Sequence, residues 1–102
     1  SCFVNGDKVL IDLGQKRWVH AFRYLPDQHS PRKGLVSNYT LYGGDIPEES
    51  SIIASGEFSN IRNNPVWQAV YFSPAYTRYI IFKADRMVRD GEPMGMAEIR
   101  IE

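Results

Sequence analysis

Apolar residues in this chain fall in short runs with a two-residue period, and no segment keeps a 3.6-residue period over ten or more positions. Residues 8–13, KVLIDL, set Val9, Ile11 and Leu13 against Leu10 and Asp12, the alternation of a half-buried strand closed by Gly14. Residues 17–25, RWVHAFRYL, form a second strand ended by Pro26. Val19 and Phe22 have opposite parity within it, which points to a bulge or a twist. Residues 38–42 make a short strand followed by Gly43-Gly44-Asp45, and residues 51–58 a weaker one broken by Gly56. The stretch from Gly56 to Ala84 contains two runs rich in Val, Ile, Tyr, Phe and Trp, residues 66–72 and 77–84. The Ser73-Pro74-Ala75-Tyr76 link between them predicts an antiparallel hairpin, since proline cannot continue a ladder. A polar stretch, 85–95, leads to a last strand at 96–101.

Seven short strands with turn signals between them predict an all-β fold, an antiparallel β-sandwich or barrel. If successive strands alternate in direction, loops near 14–17, 43–50 and 73–76 share one end, and loops near 26–37, 59–65 and 85–95 the other. The second set is longer and more polar, so it is the expected binding rim. Val66, Val70, Ile80 and Phe82 are expected in the core. By the same parity Trp67, Tyr71, Tyr79 and Ile81 form one outward apolar patch, either a partner surface or a face covered by further chain.

The formal net charge is zero over 102 residues, which leaves no electrostatic footprint for nucleic acid or an anionic membrane. No apolar run approaches the roughly 18 residues that would span a bilayer, so no membrane insertion is expected. Cys2 is the only cysteine, which excludes an internal disulfide and a cysteine-based zinc cluster. With no His partner at a fixed spacing, it reads as an inert thiol. His20 and His29 sit on different elements and offer no metal motif. No nucleophile lies at a fixed spacing from a base, so the chain alone is not expected to be an enzyme.

Six blocks taken in order, VLIDLG, FRYLP, NYTLYGG, GEFSNIRNNP, TRYIIFKA and MAEIRIE, resemble the discoidin domain. This is the coagulation factor V/VIII type C fold, a galactose-binding-like jelly-roll, and the resemblance covers nearly the whole chain from Lys8 to Ile101. GEFSNIRNNP in particular looks like discoidin modules appended to bacterial exo-glycosidases such as α-L-fucosidases and β-N-acetylhexosaminidases of the chitobiase type. The resemblance implies a non-catalytic carbohydrate-binding or accessory module of an extracytoplasmic glycoside hydrolase, whether periplasmic, surface-bound or secreted. Its partners would be a glycan or terminal monosaccharide, such as galactose or N-acetylglucosamine, and the parent catalytic domain. Tethering would raise the local substrate concentration for that domain.

Two departures qualify the pattern. Family members usually carry a segment with an Asp-Gly-Asp-type turn and a Trp that helps form a calcium site before the IDLG strand. Here Asn5-Gly6-Asp7 lies too close to the strand to be equated with it. No cofactor is therefore expected in this chain, which reads as a single domain over 1–102 and as a C-terminal fragment of a longer polypeptide. Second, Pro26-Asp27-Gln28 stands where the family often has Pro-Arg-Gln.

The candidate ligand-binding residues are Asp27, His29 and Arg32 in one rim loop, Asn60 and Asn63 in the next, and Trp67 just beyond it. Asp27, His29 and Arg32 offer donors and acceptors suited to a vicinal diol, and the amides satisfy hydroxyls without the cost of burying a charge. The same types are common turn residues, so a purely structural use stands beside this reading. A sugar also needs an apolar platform for its C–H face, and none of the three loops contains Trp, Tyr or Phe. Trp67 is the nearest. The alternative is a structural module that packs on its catalytic domain and binds no sugar.

Overall fold

The computed structural model describes residues 2–26, 28, 34–58, 66–89 and 91–102. Among these residues the strands are β1 (Cys2–Asn5), β2 (Lys8–Leu25), β3 (Val36–Gly44), β4 (Ser51–Glu57), β5 (Gln68–Met87) and β6 (Glu98–Ile101), with a 3₁₀ turn, Pro47–Glu49, between β3 and β4. All pairings are antiparallel, in the order β1-β2-β5-β3-β4, with β6 also on β2. The all-β expectation holds, and two of the elements are much longer than the alternation predicted.

β2 joins the first two predicted strands, and β5 joins the two arms of the predicted hairpin. The hairpin does not form. β5 instead runs through Ser73-Pro74-Ala75-Tyr76 and pairs along its length with β2, from Tyr24↔Gln68 to Lys8↔Lys83. Two register breaks interrupt this ladder. At the first, residues 13–16 of β2 stand opposite Arg78 alone, with Gly14 at φ 86. At the second, residues 72–74 of β5 stand opposite His20 alone. Pro74 is tolerated because it sits in this bulge, where no ladder bond from its nitrogen is needed.

The bulges let one hydrogen-bonded sheet fold back over itself, strands changing layer at the irregularities. Phe22 pairs with Val70 in one layer, yet its ring stacks at 4.8 Å on Phe82, which pairs with Val9 and Leu41 in the other. One layer therefore holds β6 with the later part of β2 and the earlier part of β5. The other holds β1, the start of β2, the end of β5, β3 and β4. The opposite parity of Val19 and Phe22 is resolved as predicted: the backbone N–H groups of His20 and Ala21 both donate to the Glu102 carbonyl, at 2.6 and 2.9 Å, and both apolar side chains end up inside.

Between the layers lie Val9, Ile11, Val19, Phe22, Tyr24, Leu41, Val70, Ile80 and Phe82. Phe82 is the hub, with the rings of Phe22, Tyr24, Tyr39 and Phe58 around it. Val66 is not core as expected. It precedes β5 and is 49% exposed.

Because the sheet folds back, both ends of β2 and both ends of β5 lie at the same end of the sandwich. Backbone bonds tie the loop flanks together there: Val88 N–H to Leu35 O, Ala97 N–H to Leu25 O, Phe58 N–H to Ser37 O, and Gly95 N–H to Gly34 O. The buried Tyr24 hydroxyl donates to the Gly95 carbonyl at 2.7 Å, and Glu92 accepts the Gly34 N–H. Gly34 has φ 68, and a Cβ there would lie 2.2 Å from the Gly95 nitrogen. Replacing Gly34 with Ala adds left-handed strain to a backbone clash. We expect Gly34→Ala to lower unfolding free energy by roughly 2–4 kcal/mol, read as a shifted urea midpoint at unchanged slope.

At the opposite end Asp12 pins the first bulge. Its carboxylate accepts the Gly14 N–H at 2.8 Å and two bonds from Arg78, at 3.1 and 3.3 Å. The Arg78 guanidinium, then the Gly14 N–H, hold the Asp12 carboxyl below its ordinary pKa. A carboxylate favoured in the folded state stabilises fully above the unfolded pKa and loses that contribution as pH falls through the lower folded value. Stability should therefore decline below about pH 4, and Asp12→Asn should flatten that part of the curve, measured by thermal melts from pH 2 to 6.

Candidate functional site

The three loops expected to share an end do converge in their described parts. Pro26, Gly34 and Leu35 flank the first loop, Phe58 and Val66 the second, and residues 88–89 and 91–97 belong to the third. Of the candidate residues, Asp27, His29, Arg32, Asn60 and Asn63 lie outside the described residues. Trp67 is described. It enters β5 at this end, half-buried, with the Arg100 guanidinium carbon 4.9 Å from its ring centroid. Arg100 in turn donates to Glu98 at 3.4 Å. An indole beside a guanidinium and a carboxylate presents an apolar face next to hydrogen-bond donors and acceptors, chemistry suited to a polyol.

A cavity of about 300 Å³ opens beside this cluster of loops, lined by Asp7, Met87, Glu92 and Met94 among others. Asp7 belongs to the two-residue turn that joins β1 to β2, and its carbonyl accepts the Ala84 N–H at 2.7 Å. The Asn5-Gly6-Asp7 segment is thus a hairpin corner, with Gly6 at φ 63. Among the described residues no group of three or more His, Cys, Asp or Glu side chains could hold a metal ion.

The single outward patch of Trp67, Tyr71, Tyr79 and Ile81 does not exist. It was inferred from a hairpin in which the two arms lie side by side, whereas β5 is one strand bent between the layers. Trp67 and Tyr71 face outward from the three-stranded layer, and Tyr79 and Ile81 from the other. Each tyrosine has its own cation. Arg23 donates to the Tyr71 hydroxyl at 3.1 Å while gripping Glu102 through two bonds of 3.1 Å, and Arg78 lies 5.2 Å from the Tyr79 ring centroid. Glu102 first, then Tyr71, raises the pKa of Arg23.

Sequence reasoning missed a second aromatic group. Trp18 and Tyr76 pair across β2 and β5, their rings 5.2 Å apart and tilted by 35°, and they are 67% and 51% exposed. Lys16 Nζ lies 4.6 Å from the Tyr76 centroid and 3.2 Å from Asp45. The parity of Val19 carried the signal: with Val19 inside, Trp18 must point out. A third feature is a lateral groove of about 520 Å³ where β1 and β6 flank β2, lined by Ile11, Leu13, Ile99 and Ile101 with Arg17 and Glu98.

No protein-family model matches the chain, and no curated protein does. Solved structures do. A glycoside hydrolase 29 family member from an unknown rumen bacterium superposes with a TM-score of 0.90 and 33% identity over 99% of this chain, which spans 18% of that protein's length. The family 32 carbohydrate-binding module of Clostridium perfringens NanJ, solved in complex with galactose, matches 92% of this chain at a TM-score of 0.77 and 22% identity. The match covers 64% of that module. The C-terminal domain of a chitobiase from Bacteroides fragilis matches 98% of the chain, and 64% of its own length, at 0.75 and 14%. The resemblance read in the sequence holds: the structural neighbours of this chain are discoidin-like family 32 carbohydrate-binding modules and domains of glycoside hydrolases, and the chain shares their β-sandwich.

Proposed function

We propose that the chain is a non-catalytic carbohydrate-binding accessory module of an extracytoplasmic glycoside hydrolase, and that it takes a terminal sugar at the rim where its three long loops meet. The observation that carries this is the placement of Trp67, with Arg100 and Glu98, at the one end of the sandwich to which those loops are tied. The indole would stack on the C–H face of the sugar ring. Arg100 and Glu98 would meet hydroxyls at its edge, and Asp27, His29, Arg32, Asn60 and Asn63 remain the loop candidates for its other hydroxyls. Such a module adds no chemistry. It raises the local concentration of substrate for an attached catalytic domain. Among the described residues no helix is long and apolar enough to cross a membrane.

The lateral groove favours a second reading, a structural module that packs on the catalytic domain and binds no sugar. Calorimetric titration with galactose, N-acetylgalactosamine and N-acetylglucosamine separates the two. Saturable heat for at least one sugar is expected, with Trp67→Ala weakening it at least tenfold, about 1.4 kcal/mol. Absence of heat with every sugar, together with sugar-independent co-purification with a catalytic domain, would replace the first reading by the second.

A further inference from the structure

The Trp18–Tyr76 pair lies at the end of the sandwich away from the loops, close to the bulge formed by residues 13–16 of β2. Nothing in the described fold covers it: two thirds of the Trp18 surface and half of that of Tyr76 meet solvent. Tyr76 braces Trp18 from the side, and Lys16, held by Asp45, sits over Tyr76. The result is an exposed indole packed on a tyrosine ring that in turn carries an ammonium paired with a carboxylate.

Charge and reach select the occupant. The cations on this face are closed into pairs, Lys16 with Asp45 and Arg23 with Glu102, so the surface offers donors and acceptors without a net field. That suits a neutral polyol and disfavours a polyanion or an acidic peptide. Tyr71, 68% exposed, continues the same outer face five positions along β5 from Tyr76. Their partners on β2, Trp18 and Ala21, are three residues apart, so at about 3.3 Å per residue the two stations stand roughly 10 Å apart, a span that a chain of sugars bridges and a single ring does not. Two exposed aromatic stations along one strand receive a glycan lying flat rather than end-on.

We propose that Trp18, braced by Tyr76 and flanked by the Lys16–Asp45 pair, is a second carbohydrate platform that binds a neutral oligosaccharide chain lengthwise on the outer face of the three-stranded layer. The proposal takes its ligand class from the carbohydrate-binding reading but depends on none of the rim residues. A domain holding a chain end at its rim and a chain length on its flank would grip one polysaccharide at two points, or two strands at once.

Trp18 and Trp67 are the only tryptophans, so each is observable alone. In Trp67→Phe all indole emission comes from Trp18. Titrated with soluble neutral hexasaccharides of galactose, glucose, xylose and N-acetylglucosamine, this variant should show a saturable emission change with at least one of them. Trp18→Ala should weaken hexasaccharide binding at least tenfold while leaving monosaccharide heats unchanged, and circular dichroism should show its fold intact because the side chain is mostly exposed. Flat Trp18 emission across the panel overturns the proposal, and if Trp67 in Trp18→Phe still responds, the rim site survives alone. A response of Trp18 with none from Trp67 supports the platform and overturns the rim. Protection of Trp18 from acrylamide quenching by a co-purified catalytic domain, but by no glycan, assigns the face to protein contact and also overturns it.

Discussion

The fold depends on one constraint: β2 and β5 pair along nearly their whole length, yet each must bury apolar side chains in two layers that face one another. A flat antiparallel pair cannot do this, because strict alternation keeps one face of the sheet on one side throughout. The pair solves it with extra residues inserted first in one strand and then in the other, and the ladder bends where they are inserted. Asp12, Gly14 and Arg78 hold the first of these sites and the Glu102 carbonyl the second. Once the pair is folded over, Phe22 meets Phe82, and the aromatic cluster around Phe82 closes the interior.

This bend also makes the rim. It returns the beginning and end of each long strand to one place, so that segments distant in sequence, near Leu25, Leu35, Phe58, Trp67, Met87 and Ala97, become neighbours. Tyr24 is the link between the two levels of organisation. Its ring packs on Phe58 and Phe82 within the core, and its hydroxyl reaches out to the Gly95 carbonyl among the loops. The end where the loops meet is therefore supported by the same side chains that fill the sandwich.

Much of this was legible in the alternation. The all-β class, the core positions Val70, Ile80 and Phe82, the bulge between Val19 and Phe22, and the grouping of loops by end all followed from period and parity. What was misread has a common physical origin. Glycine at positive φ and proline without a donor mark turns and bulges alike, and only the pairing of remote strands decides between them. Gly14 and Pro74 therefore read as chain reversals although both sit inside continuous strands. The error propagated to the supposed patch of Trp67, Tyr71, Tyr79 and Ile81, because that patch assumed the hairpin. β1 went unnoticed because four residues, CFVN, carry too little pattern, although the Gly6-Asp7 pair that follows is a hairpin signal. Trp18 was within reach: placing Val19 in the core fixed its neighbour outside.

A sandwich assembled from two separate sheets can loosen one layer while the other persists. Here the backbone ladder between β2 and β5 passes through both layers; β1, β6 and β3 are attached directly to it, and β4 through β3. Local opening of one layer would have to break hydrogen bonds in the strands that also build the other. The domain is thereby made into one cooperative unit, with amide protection shared across both faces and weaker protection left for the outlying strands β1, β4 and β6. Its folding is correspondingly committed to contacts between residues as far apart in sequence as Lys8 and Lys83, which makes the search slow and the folded state hard to open piecemeal.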